Sequence, residues 1–353
     1  MESITFECEV ITPMFLAGAD GVTPELRAPS IKGALRFWWR AMNGHLPVND
    51  IKDNSGRVTQ KGLRTIEGEI FGDTSQKCKV IIICEQKEFE IVNQYKMIAH
   101  KGGQSKSFEL GEIVKITLKL VRNVTVNDTV NFDFTKLKAL FEVVCYLGGL
   151  GKRSRRGNGC LKIKSFIENE NSETVYTQLT FNQSLVDRLN SVTLDVNDSK
   201  VFTSLSSNTN LIGSRFSNTN QLIPNIVSIE KVVKSGNNEQ KRFLVSKATH
   251  NTKNEDNNRV ITKAENEGMR LSKDDRGNKI IPNDYKRFLQ YGKFVGAGQP
   301  RFASPIIVSI SPNEEVIVTK LTTVKERDGR TEIVNTNMLG IQTNLIDEIK
   351  IIS

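Results

Sequence analysis

Hydrophobic and polar residues alternate along residues 3–11, SITFECEVI, which puts Ile4, Phe6, Cys8 and Val10 on one face of a strand. A turn-rich passage through Gly18, Asp20 and Gly21 leads to Pro29. The apolar spacing then becomes helical over residues 31–42, with Ile31, Leu35, Trp38 and Met42 as the buried stripe. Ser30 is the expected cap of this helix and Gly44 its expected stop. Strand-like runs at 78–84 and 113–121 precede a second helix. Asp133 or Thr135 starts it, Leu137, Phe141 and Val144 share one face, and Gly148 ends it. Residues 160–167 alternate again as a closing strand. Strand, helix, strands, helix, strand is the order of a ferredoxin-like domain.

The chain has 353 residues, which suits two α+β domains better than one. The first is expected over 1–170. The second, over 171–353, is read as a degenerate and elaborated copy of the same fold. Residues 246–284 are crowded with Asn, Asp, Glu and Lys and read as a long loop, partly disordered. A helix at 284–294 and strands at 305–310 and 315–321 are expected after it.

Composition narrows the function class. With 38% hydrophobic and 25% charged residues the chain resembles an ordinary globular protein. No run approaches the roughly 18 consecutive apolar residues of a membrane helix, and the start, MESITFECEV, lacks the pattern of a secretory signal. A cytoplasmic protein without membrane contact is expected. Cys8, Cys78, Cys84, Cys145 and Cys160 form no CxxC pair and read as small buried hydrophobes. His45, His100 and His250 stand too far apart for a ligand cluster, so neither metal nor cofactor is expected. The net charge is +9, and residues 1–165 hold 25 Lys and Arg against 18 Asp and Glu. The basic surface therefore belongs to the first half, and an anionic partner is one explanation for it.

Two features can receive such a partner. On the first helix Lys32, Arg36 and Arg40 recur every four residues, with Trp39 and Asn43 beside them. An aromatic ring among cations can stack on a base while the cations meet phosphates; the alternative is a solvated basic face whose long stems cover apolar neighbours. The second feature is GGLGKRSRRGNG, residues 148–159, with five glycines, four cations and no acid. Glycines let the backbone turn sharply, so that successive amides can point at phosphate oxygens. A flexible basic connection is the alternative. The segment has neither Walker nor GxGxxG spacing, which argues against a mononucleotide or dinucleotide site.

The run PELRAPSIKGALRFWWRAMNG at 24–44, taken with GGLGKRSRRGNG, resembles the RAMP superfamily of CRISPR proteins. Within it the paired tryptophans between basic residues resemble the family of first subunits of the type III-B (Cmr) RNA-guided effector complex. RFASPI at 301–306 also suits that family. The resemblance implies a pair of ferredoxin-like, RRM-related domains that bind RNA near the 3′ end of the guide and help capture target RNA in antiviral defence. It implies guide RNA, target RNA and the other Cmr subunits as partners, with cleavage residing in those other subunits. Carried onto this sequence, the RNA-binding residues are Arg27, Lys32, Arg36, Trp39 and Arg40, with Gly149, Gly151, Lys152, Arg153, Ser154, Arg155, Arg156, Gly157 and Asn158. No catalytic residue is assigned.

Two other readings stay open at this level. One is a metal-independent guide-processing endoribonuclease, for which His45, just past the first helix, is the natural acid or base. The other is a scaffold that touches only protein. Asp274 and Asp275 are adjacent carboxylates, but they sit in the polar segment and read as a solvated loop tip.

Overall fold

The computed structural model describes residues 1–85, 87–99, 101–126, 130–194, 201–207, 210–214, 226–232, 236–242, 273–279, 306–321, 323–327 and 330–334. The expected helix at 284–294, most of the 246–284 segment, His100, His250 and residues 301–305 of the RFASPI run lie outside them.

Ile4, Phe6, Cys8 and Val10 are fully buried on one face of strand Glu2–Val10, as their alternation predicts. This strand is the middle of a five-stranded antiparallel sheet. The order across it is Thr174–Val175, Leu161–Glu168, Glu2–Val10, Ile113–Leu120 and Val80–Cys84. Ile4, Phe6 and Cys8 stand opposite Leu118, Ile116 and Val114, so the inward apolar rows are in register. The last strand of the strand–helix–strand–strand–helix–strand series thus returns beside the first, the arrangement the element order suggests.

The longer helices among the described residues are α1 (Ala28–Met42), α2 (Leu63–Phe71), α3 (Phe134–Leu147) and α4 (Gln183–Val192). The sequence reading missed α2 and α4. Helix α1 begins at Ala28 with Arg27 at its N-cap and no side-chain cap, so Ser30 is not the cap. Pro29 explains the shift, because its fixed φ suits a first helical turn and it has no amide to satisfy. The helix ends at Met42, as its spacing predicts, with Asn43 as C-cap and Gly44 just beyond. Asn43, fully buried, donates from Nδ2 to the Trp39 carbonyl at 2.9 Å and accepts from Leu194 N at 2.6 Å. Helix α3 is capped by Asp133, which accepts from Lys136 N at 2.9 Å, and it ends at Gly148 as predicted.

Helix α3 is buried nearly all round. One side packs on the first sheet, where Phe141 stacks on Phe6 with ring centroids 4.6 Å apart. The other packs on α4 and on a second antiparallel sheet, ordered Phe202–Ser207, Asn210–Ser214, Ile226–Val232, Val316–Leu321, Ile306–Ile310. The sequence showed one apolar face on α3; the second sheet requires another. Among the described residues this second sheet does not repeat the strand order of the first. Tyr146 joins the layers, with its hydroxyl 3.2 Å from Glu315 Oε2 and its carbonyl accepting from Ser309 Oγ at 3.2 Å. A continuous apolar cluster extends from Ile4 to Leu321.

A buried carboxyl group of α3 sits against this core. Glu142 of α3 is 2% exposed, and its Oε2 lies 2.9 Å from a guanidinium nitrogen of Arg188 on α4. Burial raises its pKa from 4.5 to about 7; Arg188 and Lys138 oppose the rise and Glu168 adds to it. The folded protein therefore holds this proton more tightly than the unfolded chain does. Stability is full below the ordinary carboxylate value, falls as pH rises toward about 7, and is level above it. Urea denaturation across that window is expected to show a loss of roughly 1–3 kcal/mol in the parent that is largely absent in Glu142→Gln. An unchanged slope in the variant would assign the pH dependence to another group.

Candidate nucleic-acid interface

The chain leaves α3 at Gly148 and runs through the basic segment to the strand at Leu161. Its backbone is tied down at almost every step. Lys152 N donates to Phe15 O at 2.9 Å, Leu150 N to Gly159 O at 2.8 Å and Gly159 N to Pro13 O at 3.0 Å. Gly157 N donates to Val308 O at 2.7 Å while Val308 N donates to Arg155 O at 3.0 Å, forming a parallel bridge between Arg156 and the free edge of the second sheet. Gly151 has φ +90° and Gly159 φ +66°, and a side chain at either would meet a carbonyl oxygen: Phe15 O at 2.6 Å or Leu150 O at 1.9 Å. The glycines make room for the chain's own backbone. The segment is a braced loop, not a flexible connection.

The cations on this frame divide into two kinds. Lys152 and Arg153 are exposed. Lys152 Nζ donates to Gly21 O at 2.8 Å, and Arg153 holds a left-handed φ of 57° that turns it outward from the braced backbone. Arg155 and Arg156 are half-buried. The Arg155 guanidinium lies 4.6 Å from the centre of the Phe37 ring, and burial lowers its pKa. Asn158, read as a hydrogen-bonding contact for RNA, is 2% exposed and faces inward. Its Nδ2 donates to Met97 O at 3.2 Å, and its Oδ1 accepts from the buried guanidinium of Arg242 at 3.0 Å. Arg242 also donates to Lys96 O at 2.8 Å and pairs with Glu239. Gly157, too, is buried by its bond to Val308.

Helix α1 meets the loop, by a face other than its cationic one. A cleft of about 480 Å³ is walled by Ser30, Gly33, Ala34, Phe37 and Trp38 of α1, by Gly148–Lys152, Ser154 and Arg155 of the loop, and by Phe15–Gly18. Gly149, Gly151, Lys152, Ser154 and Arg155 all line it, and no Asp or Glu does. Lys152 also lines a second cleft of about 310 Å³ with Asn93, Gln104 and Lys106. Lys152 stands where the two meet.

Arg36 and Arg40 point elsewhere. Arg36 Nε and Arg40 Nη1 both donate to Glu67 Oε1 at 2.6 Å, clamping a carboxylate that α2 buries. Lys32 lies on their side of α1 and is half-buried, while Arg27 stands 3.9 Å from Glu25 at the helix start. Trp39 is the plain correction: it is fully buried, edge-on to Phe71 of α2 at 6.3 Å, and offers no face to a base. Its exposure was inferred from helical spacing without the helix that covers it. Phe37 and Trp38 are the aromatic residues that α1 brings to the cleft, their rings 5.5 Å apart and nearly perpendicular. The missed signal was a third face of α1: Ser30, Gly33, Ala34 and Phe37 recur at helical spacing and are neither apolar stripe nor cationic stripe.

His45 does not line the cleft. One ring nitrogen is 2.8 Å from Leu194 O. Asp274 accepts from the amides of Arg276 and Asn278 and forms the solvated turn expected of it. Among the described residues, no three His, Cys, Asp or Glu side chains are grouped to hold a metal, and no helix is long and apolar enough to cross a membrane.

Residues 7–162 match the family model of the RAMP superfamily. The chain is 26% identical over 195 residues to CRISPR system Cmr subunit Cmr1-2 of Pyrococcus furiosus, a span covering 48% of this chain and 98% of that protein. Against Cmr subunit Cmr1-1 of the same organism it is 30% identical over 174 residues, covering 45% of this chain and 46% of that one. The crystal structure of apo Cmr1 from Pyrococcus furiosus aligns over 99% of this chain and 97% of its own, with TM-score 0.52 and 17% identity. A chain of the type III-B Cmr-beta complex bound to cognate target RNA, solved by cryo-EM, aligns over 99% of both chains with TM-score 0.54 and 11% identity. At these identities the two structures establish a shared mixed α/β fold.

Two stability measurements check this placement of the residues. Gly159→Ala is expected to cost roughly 1–3 kcal/mol, because the new methyl strikes backbone at a left-handed position. Trp39→Ala is expected to cost about 3–5 kcal/mol as a core cavity. If Trp39→Ala melts like the parent, its assignment to the core is wrong.

Proposed function

We propose, for a chain whose residues 7–162 match the RAMP-superfamily model, that it is a non-catalytic RNA-binding subunit of a type III-B CRISPR effector. In this reading it lies near the 3′ end of the guide RNA, helps capture complementary target RNA and contacts other Cmr subunits. The observation that carries the reading is the braced loop. It presents Lys152 at a cleft that no carboxylate lines, with the exposed Arg153 next to it in the chain. Such a site attracts a phosphate backbone without reading its sequence. The relatives supply the choice of RNA, since one of the similar chains belongs to an assembly holding cognate target RNA. A non-catalytic role is favoured by the position of His45, whose ring meets the Leu194 carbonyl away from the cleft.

Binding of a single-stranded RNA across a salt series tests this. The parent should lose affinity steeply as salt rises. Lys152→Ala with Arg153→Ala should weaken binding to all sequences and reduce the salt slope by about 1.4, two phosphate contacts at roughly 0.7 each for a single strand. Parent binding that ignores salt would sink the phosphate-gripping role. Incubation with repeat RNA in EDTA should leave the RNA intact, and specific cleavage abolished by His45→Ala would replace this reading with the nuclease.

A further inference from the structure

We propose that the cleft between α1 and the glycine-rich loop is a pocket for one unstacked nucleobase of the bound strand, with the adjoining phosphate held at Lys152 and Arg153. The inference rests on the RNA-binding reading and specifies what enters the site.

The cleft has a mostly uncharged interior, crossed by the Arg155 guanidinium, and Lys152 at its mouth. Gly33 and Ala34 carry almost no side chain, and the space above Gly33 is open: a Cβ built there meets nothing within 4 Å. Phe37 and Trp38 form aromatic wall, and the Arg155 guanidinium already lies over Phe37 at 4.6 Å. A planar ring entering the cleft thus meets a cation stacked on an aromatic ring, an arrangement that holds splayed bases in single-stranded RNA. At about 480 Å³ the space accommodates one nucleotide and excludes a duplex. Ser30 and Ser154 put hydroxyls on opposite walls, and the loop adds backbone groups, so an edge of the base can be hydrogen-bonded without being selected tightly. Acids stay off the walls. Asp20 and Glu25 stand on the adjacent turn, where Asp20 is occupied by Val22 and Thr23. A bare phosphate would use only the mouth, and the interior would go unfilled.

Gly33→Leu is the decisive variant, because it fills the interior, removes no charge and improves helix propensity. Ser30→Leu, one turn earlier on the same wall, serves if the first variant melts abnormally. Affinity is measured for a labelled single-stranded RNA and for an abasic strand of equal length. Gly33→Leu should bind the base-bearing RNA about tenfold more weakly, the scale of one lost base stack. Its salt slope and its affinity for the abasic strand should not change. Equal affinity for RNA in parent and variant, or equal loss on both strands, overturns the pocket. A free nucleoside monophosphate distinguishes the two sources of a base: millimolar competition supports the strand-borne base, whereas binding as tight as the strand's makes this a soluble-nucleotide site and overturns the proposal. Absence of any salt-dependent RNA binding by the parent would defeat the RNA reading itself, whatever the pocket does.

Discussion

The backbone that leaves α3 at Gly148 enters a buried region, and its amides and carbonyls have to be paired inside the protein. They are paired from Pro13 and Phe15, from Gly159 within the loop and from Val308 on the second sheet. Side chains at 151 or 159 would strike the carbonyl oxygens that line this path. Glycine is therefore required by the loop's own packing, and the four cations between Lys152 and Arg156 are carried on a shape fixed without a ligand. Like charges so close repel. The frame separates them, with Lys152 directed to the Gly21 carbonyl and Arg155 laid on Phe37.

The basic surplus of the first half is not spread evenly over its surface. Where α1 meets α2, two arginines converge on one carboxylate oxygen of Glu67, a pair of contacts needed because a buried charge without partners is costly. Those arginines stabilise a helix junction. Around the cleft no such carboxylate lines the walls, and positive charge stays facing outward. The same residue type thus does two jobs, and what separates them is whether an acid is buried within reach.

Much of the first half was legible because strands and helices there bury one face each. The alternation of Ile4, Phe6, Cys8 and Val10 and the cap at Asp133 need only local sequence to be seen. Trp39 was not legible, because its neighbour Phe71 lies on α2, a nine-residue helix interrupted by Gly68 and flanked by polar turns. Spacing on α1 alone cannot tell Trp38 from Trp39 when both are covered. The loop was found by composition, yet its glycines were assigned to a ligand rather than to Phe15 and Leu150. For Gly151 that assignment needs Phe15, over a hundred residues away, which no local pattern carries.

A loop that had to order itself on binding would sacrifice about 1–2 kcal/mol per residue of backbone freedom at that moment. Here the ordering is accomplished in folding, so an anion meeting Lys152 and Arg153 would not have to arrange the backbone. Part of the bracing comes from far along the chain. The family match ends at residue 162, whereas Arg242 bonds to Asn158 and Val308 pairs with Arg155 and Gly157. These later residues hold the loop from the side opposite Phe15, and without them Asn158 Oδ1 and the Gly157 amide would lose buried partners. A division of the chain near residue 170 therefore separates stretches of sequence, but the hydrogen bonds that shape the site run across it.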